Sequence, residues 1–283
     1  NLIKAMAMGG FSLSKWKANH PALLPHEDGQ PAPVVEDKLE KILGVWWNPK
    51  EDVFRFYLDM ATIKLPAKTP RQLVSVSCSL FDPNGFFSPF ILRGRQMLQK
   101  AQQQNGRKGW DNPLSSELAK EFMIWASSIP LLQNYPVTRW WETDATMNAS
   151  NVQWHFFADA SKTGYGAVVY RRAVAVSGEI SLAIVMSRSH VVPLDSSKAS
   201  HHGLITNLEL TSNASQIECL IFVLKAIGPI AKKYHWTDSE CCLKWIKDMT
   251  TVFPEFVANR LSKIHEVSKA EEWRHVPSQL NPA

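Results

Sequence analysis

The sequence predicts an α/β fold: a mixed five-stranded sheet with flanking helices in its second part, preceded by a smaller β-hairpin and a helical region. Three observations carry this. From residue 152 the chain reads as three strand-like runs, a long helical period, a strand, two helices and a last strand, the order βββαβααβ. A length of 283 residues leaves room for two domains, each with a core of its own. Hydrophobic residues at 45% and charged residues at 20% sit near globular averages, which excludes a disordered chain.

In the first part, LEKILGVWW at 39–47 and VFRFYL at 53–58 are apolar runs joined by the turn-rich NPKED, the pattern of a two-stranded hairpin. Before them, Pro25, Gly29, Pro31 and Pro33 make 21–33 a loop. After Thr69, RQLVSVSCSLF sets Leu73, Val76 and Leu80 at helical spacing with Pro70 in the first turn, and DPNG at 82–85 closes that helix. Two more helical patterns cover 89–104 and 115–127.

The second part opens with the strands VQWHFFADA, GYGAVVYRR and ISLAIVMSR, with Gly164 and Gly166 expected at the return between the first two. A helix over 207–227 places Leu208, Ile217, Leu220, Ile221 and Leu224 on an apolar side and stops at Gly228 and Pro229. The strand KYHWTD follows, then helices SECCLKWIKDM, opened by Asp238 or Ser239, and FPEFVANRLSKIHEV, and a short final strand, EWRHVP. The expected division is 1–150 and 151–283.

A net charge of +5 permits a nucleic-acid partner without requiring one. Four cysteines, two of them adjacent, form neither a C-x-x-C pair nor a secreted disulfide framework, which points to a reducing compartment. No apolar run approaches the roughly 18 residues of a membrane span, so a soluble protein with no membrane partner is expected. Both ends, Asn1 and Ala283, read as cut, as expected of a piece of a polyprotein.

Three carboxylates stand where the element order would gather them: Asp159 at the end of the first strand, Glu209 in the first turn of the long helix, and Asp238 at the end of the fourth strand. Parallel pairing of those two strands would set Asp159 beside Asp238 at a common crevice, with Glu209 pointing in. Clustered acids suit hard divalent cations, and two such ions can drive phosphodiester cleavage. Plainer readings exist for each: Asp238 as a helix N-cap, Asp159 as a turn opener, Glu209 as a solvated carboxylate at a helix N-terminus. Trp16, Trp46, Trp47, Trp140 and Trp141 suggest base stacking, but core packing is the better account for most of them. Adjacent His201 and His202 have no companion at zinc-ligand spacing and read as an exposed loop.

These pieces join in one resemblance. FADAS at 157–161, YGAVVY at 165–170, LEL at 208–210, WTDS at 236–239, FVANR at 256–260, and WRHVP with the terminal NPA are similar to the ribonuclease H domain of Bel/Pao-type retrotransposon Pol polyproteins. Upstream, GGFSLSKW at 9–16, KILGVWWNP at 41–49, LFDPNGFFSP at 80–89 and WDNPL at 110–114 resemble that family's region between polymerase palm and ribonuclease H.

The resemblance implies a ribonuclease H-like fold and two-metal hydrolysis of the RNA strand of RNA/DNA hybrids, with two Mg²⁺ ions, or Mn²⁺, as cofactors. Asp159 would match the acid shared by both metals, and Glu209 and Asp238 acids that each hold one. Residues 1–150 would be the C-terminal region of a reverse transcriptase, with KILGVWW as primer-grip hairpin followed by thumb and connection, and the rest of Pol, palm and integrase, as partner. A cytoplasmic retroelement particle, or the nucleus, would be the location.

Three departures qualify the match. The family's fourth acid follows N-P-A, where this sequence stops; the mobile His that retroviral relatives place past V-P is Gln279; and the family's P-R before L-E-L is Thr206 and Asn207. Asn207 and Ser161 are expected to touch nucleic acid through hydrogen bonds to 2′-hydroxyls or phosphates. No Y-x-D-D is present, so nucleotide addition does not reside here. The label of Pao peptidase fails too, because Asp159, Asp195 and Asp238 each lack the D-T-G or D-S-G of an aspartic peptidase. The rival reading is a nucleic-acid-binding or assembly module with an incomplete centre.

Overall fold

The structure, a computed structural model, describes residues 2–25, 34–58, 65–106, 108–143, 146, 147, 149, 151–193 and 205–283. Asp195, His201, His202 and most of the 21–33 loop lie outside the described residues. The chain divides into two compact units, Asn1–Met60 with Ser128–Trp140, and Ala61–Ser127 with Trp141–Ala283. Among the described residues, no helix is long and apolar enough to cross a membrane.

The first unit holds helix α1 (Leu2–Met8) and an antiparallel sheet of β1 (Glu40–Ile42), β2 (Val45–Asn48), β3 (Val53–Arg55) and later β4 (Val137–Thr138), in that order. The run 39–47, expected as one strand, is itself a hairpin. Leu43 (φ 50°) and Gly44 (φ 91°) both adopt left-handed conformations, the two-residue turn whose twist suits antiparallel strands. Asp52 then fastens the sheet, accepting hydrogen bonds from Trp47 Nε1 at 2.9 Å and Arg139 Nε at 2.6 Å. Of the five tryptophans, most of them expected to pack in a core, Trp47 is buried, Trp141 is half-buried against the core of the second unit, and Trp140 is exposed.

The second unit begins with α2 (Pro70–Ser79), α3 (Ser88–Asn105) and α4 (Ser116–Ser127). Thr69 caps α2, accepting from Gln72 N, with Pro70 at the position where a missing N–H costs nothing. Leu73, Val76, Ile91, Met97, Leu118 and Phe122 bury the facing stripes of the three helices. Trp125 stacks on Phe90 at 5.1 Å and donates its indole N–H to the Phe90 carbonyl.

The sheet of this unit comprises β5 (Asn151–Ala160), β6 (Gly164–Val174), β7 (Ile180–Val191), β8 (Lys233–Thr237) and β9 (Trp273–His275) in the order β7-β6-β5-β8-β9. β5, β6 and β7 are antiparallel neighbours, and β8 pairs parallel with both β5 and β9. Helix α5 (Ile205–Ile227) lies on this sheet. Cys219, Leu220 and Val223 of α5 pack on Trp154, Phe156, Ala158, Ala167, Val169 and Met186. Its Leu210 and Ile217 pack with Cys242 and Ile246 of α6 (Glu240–Lys247) and with Val257, Leu261 and Ile264 of α7 (Glu255–Val267). Apolar groups on two sides explain why α5 is buried almost all round.

Compactness does not follow the expected boundary at 150. Helix α3 and the turn before it are bonded to β7: Asn84 O accepts from Ser187 N at 2.8 Å, Ser88 O from Ser189 Oγ at 3.1 Å, and Arg95 reaches Ser189 O at 2.9 Å. Residues 61–127 thus belong with the sheet that follows them. Gly164 and Gly166 lie within β6 rather than in the turn, which Ser161 closes by accepting from Gly164 N at 3.1 Å. The glycines serve close approach instead: a Cβ on Gly166 would lie 3.0 Å from Arg188 O.

Gly85 is the tightest such point. Its φ of +76° suits glycine, and a Cβ there would fall 1.9 Å from Ser187 O. The variant Gly85→Ala should lose about 2–3 kcal/mol in chemical denaturation, because left-handed strain adds to a displaced turn. Alanine tolerated at unchanged stability would show that this turn is not held on β7.

Candidate metal centre

The three predicted acids come from three elements. The parallel register sets Phe157 beside Trp236, and two residues farther along the same direction bring Asp159 and Asp238 to neighbouring strand ends. Asp238 is released from capping duty, since Ser239 is the N-cap of α6 and accepts from Cys242 N. Glu209 sits in the second turn of α5, not the first as expected, because the helix already begins at Ile205. The plainer readings of these two are set aside: Ser239 takes the cap that Asp238 could have made, and Glu209 is buried rather than solvated.

One carboxylate oxygen from each of Asp159, Glu209 and Asp238 lies within 4.8 Å of the others. Glu209 is 8% exposed, and its Oε2, like Oδ1 of Asp238, is buried with no hydrogen-bond partner. Burial, reinforced by the charges of Asp238 and Asp159, pushes the Glu209 carboxyl up to about 8. Asp159 is also raised, first by burial and further by Asp238, although Ala160 N donates to its Oδ1 at 2.8 Å. Packing and backbone hold these carboxylates together, and their burial favours the neutral form of Glu209.

Such a donor set fits a hard divalent cation. Oxygens bound to one ion at about 2.0–2.6 Å stand at most about 4–5 Å apart, and the three acids fall within that limit. Bare carboxylate oxygens in a buried site are what a cation would satisfy.

The C-terminal segment completes the surroundings in a way that its sequence does not signal. Ser278 Oγ donates to Asp238 Oδ2 at 2.7 Å, and Asn281 Nδ2 donates to Ala158 O at 2.9 Å, so the segment after β9 folds back over the strand ends. Gln279 lies in the short turn Ser278–Leu280, and His275 belongs to β9. Ser161 spends its hydroxyl on the β5–β6 turn, donating to Gly164 O at 2.9 Å. Asn207 occupies the first turn of α5, where its carbonyl accepts from Thr211 Oγ1 at 2.7 Å. Ser161, with Asp159, lines a cavity of about 510 Å³ whose other walls include Phe86, Leu92, Tyr165 and Tyr170.

Beneath the acids lies a buried polar group that sequence reading missed: Asn213 and Gln216 on α5, and His235 and Thr237 on β8. His235 is sandwiched between Phe156 at 4.8 Å and Trp273 at 4.7 Å, and burial pushes its imidazole down to about 3. The only hint in the sequence is the polar run TSNASQ in an otherwise apolar helix.

Comparison with solved structures finds similarity to the N-terminal ribonuclease H domain of a Mycobacterium tuberculosis protein, at 12% identity and a TM-score of 0.31 over 46% of this chain and 86% of that one. LC11-RNase H1, solved in complex with RNA/DNA hybrid, matches at 13% identity and a TM-score of 0.32 over 47% of this chain and 89% of that one. A foamy viral protease-reverse transcriptase, solved with double-stranded DNA, matches at 13% identity and a TM-score of 0.47, over 87% of this chain and 46% of that one. No curated protein matches this chain. Residues 69–239 match the Pao retrotransposon-like RNaseH-like domain, running from the cap of α2 through all but one strand of the five-stranded sheet to the cap of α6. With more than half of its length in that match, the chain belongs to the Pao retrotransposon-like family of ribonuclease H-like domains.

Proposed function

We propose that this protein hydrolyses the RNA strand of RNA/DNA hybrids by a two-metal mechanism, as the nuclease of a retroelement reverse transcriptase. The observation that carries the reading is the convergence of Asp159, Glu209 and Asp238 to within 4.8 Å. Asp159 would be shared between two Mg²⁺ ions, or Mn²⁺, with Glu209 and Asp238 each holding one. Bound there, the ions supply Lewis acidity toward the attacking water and the departing oxygen.

The chain's own residues do the rest. Strand β5 and helix α5 fix two carboxylates on rigid elements, and Ser278 restricts Asp238 by its hydrogen bond. Asn207 and Ser161, near the same strand and helix ends, would meet the hybrid through 2′-hydroxyls or phosphates. Residues 1–150 would derive from the C-terminal region of the polymerase, the hairpin at 40–48 gripping the primer strand and the helices holding duplex. The polymerase palm and integrase would be the remaining partners, in a cytoplasmic particle or the nucleus.

The test uses the purified chain and a labelled RNA/DNA hybrid. Cleavage of the RNA strand should require Mg²⁺ and stop on chelation, and double-stranded DNA of the same sequence should stay intact. Hybrid bound with a steep salt dependence but never cut, at any Mg²⁺ concentration, would leave a binding module in place of the enzyme.

A further inference from the structure

Helix α5 meets β8 through polar groups where the surrounding packing is apolar. Asn213, Gln216, His235 and Thr237 are all at 0% exposure. Burying such groups is costly unless every partner is supplied. One backbone carbonyl settles the polarity of the whole chain of bonds. Trp236 O can only accept, so the Gln216 amide nitrogen faces it, donating at 2.8 Å. The Gln216 oxygen must then accept from His235 Nδ1, 3.0 Å away. Gln216 Nε2 also donates to Asn213 Oδ1 at 3.2 Å, which leaves Asn213 Nδ2 to donate to Thr237 Oγ1 at 3.1 Å. Thr237 Oγ1 accepts in addition from Ser239 N at 3.3 Å.

One end of this chain, Thr237, and one member within it, Asn213, adjoin the acids in sequence, while its other end is His235. Thr237 precedes Asp238, and Asn213 lies four residues after Glu209, one turn along the same face of α5. Stability does not account for the arrangement, because buried polar partners can be exchanged for apolar groups of like shape at little cost or at a gain. Direction does. Apolar contacts let a helix shift along a strand by fractions of an ångström, whereas linked amide bonds set its depth. Glu209 and Asp238, carried on different elements yet within 4.8 Å of each other, are what such a restraint would hold in place.

We infer that Gln216 and Asn213 are positioning residues, locking α5 to β8 so that Glu209 faces Asp238 at the spacing a divalent cation requires. The inference rests on the metal-centre reading above, and its test separates the two. Mn²⁺ binding to the full chain, measured by the loss of the free-ion EPR signal, reads the centre without any turnover. For Gln216→Met combined with Asn213→Leu, which unlocks the elements carrying Glu209 and Asp238, the Mn²⁺ dissociation constant should rise at least about tenfold, the low end of what loss of ligand orientation costs. The Mg²⁺ concentration for half-maximal hybrid cleavage should rise in parallel, with the melting temperature within a few degrees of wild type.

Thr237→Val removes one hydroxyl and keeps the shape. It should weaken Mn²⁺ binding at least about threefold, and it decides the matter if the double variant fails to fold. Mn²⁺ affinity unchanged in a folded variant overturns the inference, as does a wild-type chain that binds no Mn²⁺. Wild-type protein that binds Mn²⁺ and cuts no hybrid overturns the proposed activity alone, and the positioning role is then judged on the affinities.

Discussion

Replacing Asp159 with asparagine should lower hybrid cleavage by at least about a thousandfold, a loss of about 4 kcal/mol of transition-state stabilisation. The substitution keeps the shape of the side chain and removes the charge at the end of β5, between partners on α5 and β8. The same change should raise the melting temperature of metal-free protein, because Asp159 is one of the charges that destabilise an ionised Glu209. Rate measurements at saturating Mg²⁺ and melting curves in chelator check both halves. Cleavage by the Asp159→Asn variant within tenfold of wild type would remove Asp159 from the centre, and with it the reading of the site.

Acid should unfold the protein through His235. Burial holds this imidazole neutral, its pKa down at about 3 against an ordinary 6.5. Between those values the unfolded chain takes up a proton that the folded state refuses, so stability rises with pH across the window and is lost as pH falls from 6.5 toward 3. At 1.36 kcal/mol per unit, the loss amounts to about 5 kcal/mol at the acid end. Glu209 acts with the opposite sign. Its folded pKa of about 8 lies above the ordinary 4.5, so its contribution is present below 4.5 and is lost as pH rises through 8. Subtracting the unfolding free energies of His235→Leu from those of wild type cancels Glu209 and isolates the histidine. A difference that stays constant from pH 7 to pH 4 would contradict a proton-refusing His235.

Much of the fold was legible because it rests on local period. Alternation in VQWHFFADA, the long apolar repeat after residue 207 and the Thr-Pro start at Thr69 are short-range patterns, and strands and helices formed where they predict. Where two readings shared one pattern, the sequence misled. An apolar run such as KILGVWW cannot say whether it continues or turns, and left-handed conformations at Leu43 and Gly44 made it turn. Gly164 and Gly166 suit a tight return and a crowded strand equally well; the neighbouring carbonyls of β7 decided for the strand. The boundary at 150 followed the onset of the strand-like runs at Val152, whereas compactness followed the hydrogen bonds that join Asn84, Ser88 and Arg95 to β7.

By itself the sequence determined the order of elements, the family likeness and the three acids, since each depends on residues close together in the chain. Only the tertiary structure decided that Asp159, Glu209 and Asp238 come within 4.8 Å of one another, that Ser278 reaches Asp238 across 40 residues, and that a buried amide chain joins α5 to β8 beside them. Those relations join residues far apart in sequence, and their geometry is set by strand register and helix depth, which packing and directional hydrogen bonds settle together.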